Sequence, residues 1–136
     1  MHADDASGAA QHGVSPHDAS VDVEGGIVEI RTTFAARGAA EACARLLVER
    51  GLAACVQVDG PVLSTYRWRG AVERAEEFRC TAKTTAAAAG GCIEAIRRAH
   101  PYENPELLVA AVAAAPAYAA WVRESVGAGA GAGGSP

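Results

Sequence analysis

Residues 52–84 read LAACVQVDGPVLSTYRWRGAVERAEEFRCTAKT, and their reading decides the fold. Leu52 to Val58 is short and apolar, as a strand should be, and Asp59-Gly60-Pro61 interrupts it. Val62 to Trp68 resumes the strand with β-branched and aromatic residues. Arg69-Gly70 signals a tight turn, and Val72 to Thr84 reads as the returning strand of a hairpin. That hairpin is long for a chain of 136 residues.

Working outward, Ile27 to Thr33 (IVEIRTT) is short and β-branched and predicts a first strand. Arg37 to Arg50 places Ala40, Cys43, Ala44, Leu47 and Val48 on one helical face, and Gly51 follows as a C-cap. After the hairpin, Thr84 or Thr85 can cap a helix over residues 86–99, with Cys92, Ile93, Ile96 and Ala99 on one face. Gly90-Gly91 lies inside this helix and costs about 1 kcal/mol per glycine relative to alanine. His100-Pro101 ends it, because a residue before proline avoids the helical region. Leu107 to Ala114 predicts a last strand, and Pro116 opens a final helix through Val126. The order β-α-β-β-α-β plus a C-terminal helix is the ferredoxin-like split βαβ arrangement, an α+β class. Two helices on one face of an antiparallel sheet leave the other face needing a partner.

Alanine supplies 33 of the 136 residues, so the core buries little area per side chain, and self-association is one way to bury more. Net charge is -4, with five acids and no Lys or Arg in residues 1–26. Residues 27–126 carry 12 basic and 11 acidic residues. The expected organisation is a disordered acidic tail over 1–26, a domain over 27–126 and a flexible Gly/Ala tail over 127–136. Such a balance argues against a duplex nucleic-acid binder. No apolar run has the length of a membrane span, and the acidic start does not read as a secretory signal, so a cytoplasmic protein is expected.

Cys43, Cys55, Cys80 and Cys92 form no CxxC pair, which leaves a zinc finger unsupported. His2, His12 and His17 near Asp4, Asp5 and Asp18 read as a solvated tail rather than a metal site. The distinctive segment is His100-Pro101-Tyr102-Glu103-Asn104-Pro105-Glu106. Two prolines stiffen a turn that presents an imidazole, a phenol and two carboxylates, a set suited either to a polar or metal site or to simple helix capping. No nucleophile elbow, phosphate loop or zinc-protease helix is present, so a non-enzymatic role is expected.

Four stretches resemble the CutA divalent-ion tolerance family: Leu52-Ala53-Ala54-Cys55-Val56, Ser64-x-Tyr66-x-Trp68-x-Gly70, Glu77 followed by Lys83-Thr84, and His100-Pro101-Tyr102-x-x-Pro105-Glu106. Gln57 and Arg67 depart from that pattern, where asparagine and an aromatic residue are common. The resemblance implies a ferredoxin-like fold assembled as a homotrimer of PII-like architecture. It implies a role in tolerance of copper or another divalent metal, bound at clefts between subunits. It carries over Cys55, Glu77, Lys83, His100, Tyr102 and Glu106, with Trp68 nearby. Of these, Cys55 and His100, together with Glu103 of the same loop, are expected to hold the metal, and Glu77, Lys83, Tyr102, Glu106 and Trp68 to bind ligand. Lys83 is expected to hold an anion or to pair with Glu77 or Glu106. The competing expectation is a PII-like signalling or scaffold trimer that takes a small anionic metabolite or a partner protein.

Overall fold

The computed structural model describes the backbone of residues 22–132 and the side chains of residues 26–127. The chain runs β1 (Asp22–Phe34), α1 (Arg37–Glu49), β2 (Cys55–Trp68), β3 (Ala71–Thr85), α2 (Ala89–Ala99), β4 (Leu108–Ala114) and α3 (Pro116–Ala132). One antiparallel sheet has the order β2-β3-β1-β4, which is the α+β ferredoxin-like arrangement. The expected tail over 1–26 lies outside the described residues as far as Val21, and β1 begins at Asp22 rather than Ile27. The expected flexible tail over 127–136 is corrected in its first part, because α3 continues through the Gly-Ala alternation to Ala132. Alanine's high helix propensity, recurring at every second residue there, counters the cost of the glycines.

The helices form because their apolar residues fall on one stripe. In α1 the buried residues are Ala40, Cys43 and Leu47, and in α2 they are Cys92, Ala95 and Ile96. Gly51 ends α1 in the left-handed region (φ +70), which lets the Leu52 N–H reach back to the Leu47 carbonyl at 2.9 Å. Helix α2 has Ala88 as its N-cap residue and no side-chain cap. Thr85 Oγ1 accepts from the Ala88 N–H in the turn before it, while the Thr84 hydroxyl donates to the Leu52 carbonyl.

Both helices pack on one face of the sheet over Val28, Ile30, Phe34, Cys80 and Ala82. Burying a side chain such as Ile30, Phe34 or Leu47 contributes about 1.5–3 kcal/mol. On the opposite face α3 covers only one end, through Ala119, Val122 and Val126 against Ile27 and Ala114. The rest of that face is open, as expected from two helices over four strands.

Strand β2 is continuous, so the expected interruption at Asp59-Gly60-Pro61 is corrected to a bulge: Asp59 pairs with Arg79 and Val62 with Glu77, leaving two residues opposite Phe78. Gly60 has φ +144, and a Cβ there would meet the Glu77 carbonyl and the Phe78 ring at 2.9 Å. Only glycine fits such a backbone. The extra residue reverses the alternation of β2. Val56 and Val58 point to the helix core, whereas Ser64, Tyr66 and Trp68 lie on the side of Glu77 and Arg79. Beyond Phe34 and Phe78, which pair at the end of β1, β2 and β3 continue alone as a two-stranded arm.

Candidate functional site

The arm's base, the end of β1 and the loop after α2 meet at one end of the sheet. Glu77 is the most enclosed charged group, at 1% exposed, and the Ser64 hydroxyl donates to its Oε1 at 2.7 Å. Its charge is felt by His100, Tyr102 and Glu106 of the loop. Burial first, and Glu77 second, raise the pKa of both Glu106 and Tyr102. Arg31 and Arg79 oppose the shift at Glu106, and Tyr66 adds to that at Tyr102. Two carboxylates and two phenols thus converge at the arm's base.

His100 sits at the C-cap of α2, in extended conformation before Pro101. Its buried ring lies against Phe34, with ring centres 4.3 Å apart and nearly parallel planes. Nε2–H donates to the Thr33 carbonyl at 2.6 Å, and Nδ1 accepts from the Tyr102 N–H at 3.2 Å. Both ring nitrogens are therefore engaged, and the neutral imidazole ties the loop to β1. The side-chain hydroxyls of Thr32 and Thr33 beside it are buried without a hydrogen-bond partner.

On the open sheet face a trench of about 550 Å³ is lined by Glu29, Arg31, Gln57, Asp59, Arg79 and Thr81. Arg79 bridges Asp59 at 2.6 Å, and this hydrogen bond holds the Asp59 carboxyl below its usual pKa. Lys83 donates to Gln57 and stands opposite Cys55 across the β2–β3 pair. Cys55 is half-buried, near Tyr118 of α3.

The expected ligands do not come together within one chain. Cys55 pairs with Lys83, while His100 bonds Thr33, whose strand partner is Arg79, four residues along β3. That spacing is roughly 13 Å. Glu103 is exposed on the loop, and Trp68 lies near the arm's tip under the Arg69 guanidinium, 4.8 Å from its ring centre. Among the described residues no three His, Cys, Asp or Glu side chains are placed to hold a metal ion. Cys55, His100 and Glu103 thus do not fit one ion in a single chain. The expected pairing of Lys83 with Glu77 or Glu106 is also corrected: Lys83 bonds Gln57, and Glu77 lies six residues away along β3. Sequence reasoning passed over Arg31 and Arg79, which only strand register brings beside each other and beside Glu106. Ser64 and Tyr66 did carry a signal, the alternating spacing Ser64-x-Tyr66-x-Trp68.

A model of the CutA1 divalent ion tolerance protein family matches residues 28–125. The chain belongs to the CutA1 divalent ion tolerance family. Among CutA relatives, the divalent-cation tolerance protein CutA of Thermus thermophilus is 37% identical over 89 residues, 65% of this chain and 86% of that protein. The mouse protein CutA is 32% identical over 120 residues, 88% of this chain and 68% of that one. The CutA structure from Synechococcus elongatus PCC7942 superposes with a TM-score of 0.73 at 35% identity, over 79% of this chain and 96% of that chain. CutA from Xylella fastidiosa gives 0.72 at 32% identity, over 74% and 98%. The family is named for ion tolerance rather than for a reaction. No helix among the described residues is long and apolar enough to cross a membrane.

Proposed function

We propose that the chain acts as a non-enzymatic homotrimer in tolerance of divalent metal ions, copper among them, binding the ion at clefts between subunits in the cytoplasm. The observation that carries this reading is the enclosed Glu77 carboxylate with Glu106, Tyr66 and Tyr102 at the base of an arm that extends past its own sheet. An incomplete donor set in one chain is what a site shared between chains requires. The free edge of β4 supports association, since Leu108 and Val109 are 50% and 51% exposed. Within such a cleft Glu77 and Glu106 supply hard oxygen donors, and Cys55 and Glu103 become available only to a neighbouring copy's site.

Sedimentation at micromolar concentration is expected to give a trimer, and a folded monomer would remove the cleft. Copper(II) titration by calorimetry is expected to weaken in Glu106→Gln and in Glu77→Gln. Unchanged affinity in both would exclude the arm's base as the site.

A second reading, a PII-like trimer that takes a small anionic metabolite or a partner protein, is favoured by the trench with Arg31, Arg79, Thr81 and nearby Lys83. In a thermal-shift screen, stabilisation by an organic anion without added metal would favour it through ligand linkage.

A further inference from the structure

Thr33 carries a buried hydroxyl to which nothing above gives a role. The residue is 3% exposed, and its Oγ1 has no hydrogen-bond partner among the described residues. A buried polar atom costs stability unless something meets it. Thr32 is also buried with an unpartnered hydroxyl, but successive strand residues face opposite ways. Thr32 lies on the helix side with Ile30 and Phe34, opposite Cys80. Thr33 lies on the open side with Arg31, opposite Arg79.

Strand register surrounds the Thr33 hydroxyl with carboxylates. Glu77, two residues along β3 from Arg79, is a diagonal neighbour of Thr33; such neighbours stand about 7–8 Å apart, within reach of a long side chain. On the other side, β1 pairs Ile30 with Val109 and Arg31 with Leu108. Two further steps of that register bring the half-buried Glu106 opposite Thr33, on the face that Arg31 occupies. Glu77 lies close enough for its charge to act on Glu106. The two arginines of this face do not cancel the carboxylates, because each is directed to an acid of its own: Arg79 to Asp59 at 2.6 Å and Arg31 to Glu29 at 3.5 Å. Those pairs are neutral, which leaves Glu77 and Glu106 as excess negative charge around a neutral oxygen donor. Softer donors are withheld. Both ring nitrogens of His100 are engaged, and Cys55 stands opposite Lys83, roughly 13 Å along β3 from Arg79.

We propose that Thr33 Oγ1 is the interior ligand of a hard divalent cation, of the Mg²⁺ or Mn²⁺ class, held with Glu77 and Glu106 at the arm's base. This rests on the reading of that base as a metal site and adds the kind of ion it takes. Carboxylate and hydroxyl oxygens suit such ions, whereas thiolate and imidazole would favour copper or zinc. An ion of the Mg²⁺ kind keeps several of its waters and needs few carboxylates, so a small set of protein oxygens suffices.

The probe is Mn²⁺ alone, titrated into the full chain and read by loss of the free ion's electron paramagnetic resonance signal. Thr33→Val replaces the hydroxyl with a methyl group of the same shape. Without metal it is expected to unfold in urea at the native midpoint or above it, since it removes a buried unpaired oxygen. Its Mn²⁺ affinity is expected to fall about tenfold or more, the cost of one polar contact to a charge. Thr33→Ser and Thr32→Val are expected to keep the native affinity. Equal Mn²⁺ affinity in Thr33→Val and the native chain, with a loss in Glu106→Gln, would overturn the role of Thr33 and leave the arm's base as a metal site. Copper(II) binding that depends on Glu106, without binding of Mn²⁺, would overturn the hard-ion assignment alone. Ion binding indifferent to Glu106→Gln would remove the arm's base and this inference together. A large loss of stability in metal-free Thr33→Val would show that the hydroxyl is already met within the protein, and would overturn its role as a ligand.

Discussion

Ser64 Oγ donates a hydrogen bond to Glu77 Oε1 at 2.7 Å, joining the two strands of the arm beneath a carboxylate that is 1% exposed. A buried carboxylate is tolerated only where its oxygens are met, and removing one partner exposes the full desolvation cost. Ser64→Ala is therefore expected to destabilise the chain by about 1–3 kcal/mol, and more than Thr65→Ala on the exposed face of the arm. Urea denaturation of the two variants measures the difference. Equal midpoints would show that Ser64 is not what holds the carboxylate.

The loop after α2 depends on a neutral His100. Burial lowers its pKa, opposed by the hydrogen bond to Thr33. The unfolded chain, titrating near 6.5, then takes up the proton first as the pH falls. The stability His100 contributes is present above about pH 6.5 and is lost as the pH falls through the lower folded value. Protonation also turns Nδ1 from acceptor into donor, against the Tyr102 N–H. Glu106 acts in the opposite sense: its raised pKa makes the folded chain take up that proton first, so acidification toward the ordinary carboxyl range near 4.3 adds stability. Stability of the native chain should fall between pH 7 and the folded His100 value, and that slope should flatten in His100→Gln. An equal slope in both proteins would remove His100 as its source.

Element order was legible because its cues are local: β-branched runs, one helical stripe around Cys43 and Leu47, a second around Cys92 and Ile96, and Arg69-Gly70 at the turn. The site was legible only in part. His100, Tyr102, Glu106 and Glu77 do share one end of the sheet, but the chemistry each performs is set by register. Strict alternation counted from Val56 through Trp68 would aim Ser64 and Tyr66 at the helix core; the bulge at Gly60 turns them toward Glu77. Cys55 and His100 look like one soft-metal pair on paper, and strand position holds them apart. Lys83 is tied to Gln57, an arrangement that depends on the β2–β3 pairing and has no signature in spacing.

That bulge should be intolerant of a side chain. At φ +144, and with the Glu77 carbonyl and Phe78 ring both 2.9 Å from where a methyl group would stand, Gly60→Ala strains the backbone and displaces β3 where Glu77 sits. A loss of more than about 2 kcal/mol is expected, against a small effect for Gly38→Ala, where nothing lies within 4 Å. Thermal and urea unfolding of both variants provide the comparison, and a near-native Gly60→Ala would show that the bulge can relax.

The four cysteines should separate by burial. Cys43, Cys80 and Cys92 are enclosed in the helix-side core, while Cys55 is half-buried on the opposite side of the sheet. Burial raises the Cys43 thiol and pushes those of Cys80 and Cys92 up to about 12. Cys80 Sγ also donates to the Ala40 carbonyl at 3.4 Å, which ties the thiol form to α1. Since the thiolate is the nucleophile, these three should be inert near pH 8 while the fold is intact. A thiol-reactive chromophore is expected to label one group per native chain quickly and four in urea, and Cys55→Ser should abolish the fast phase. Fast labelling that survives this substitution would mean that the core opens to expose Cys43, Cys80 or Cys92 under native conditions, contrary to their enclosure between α1, α2 and the sheet.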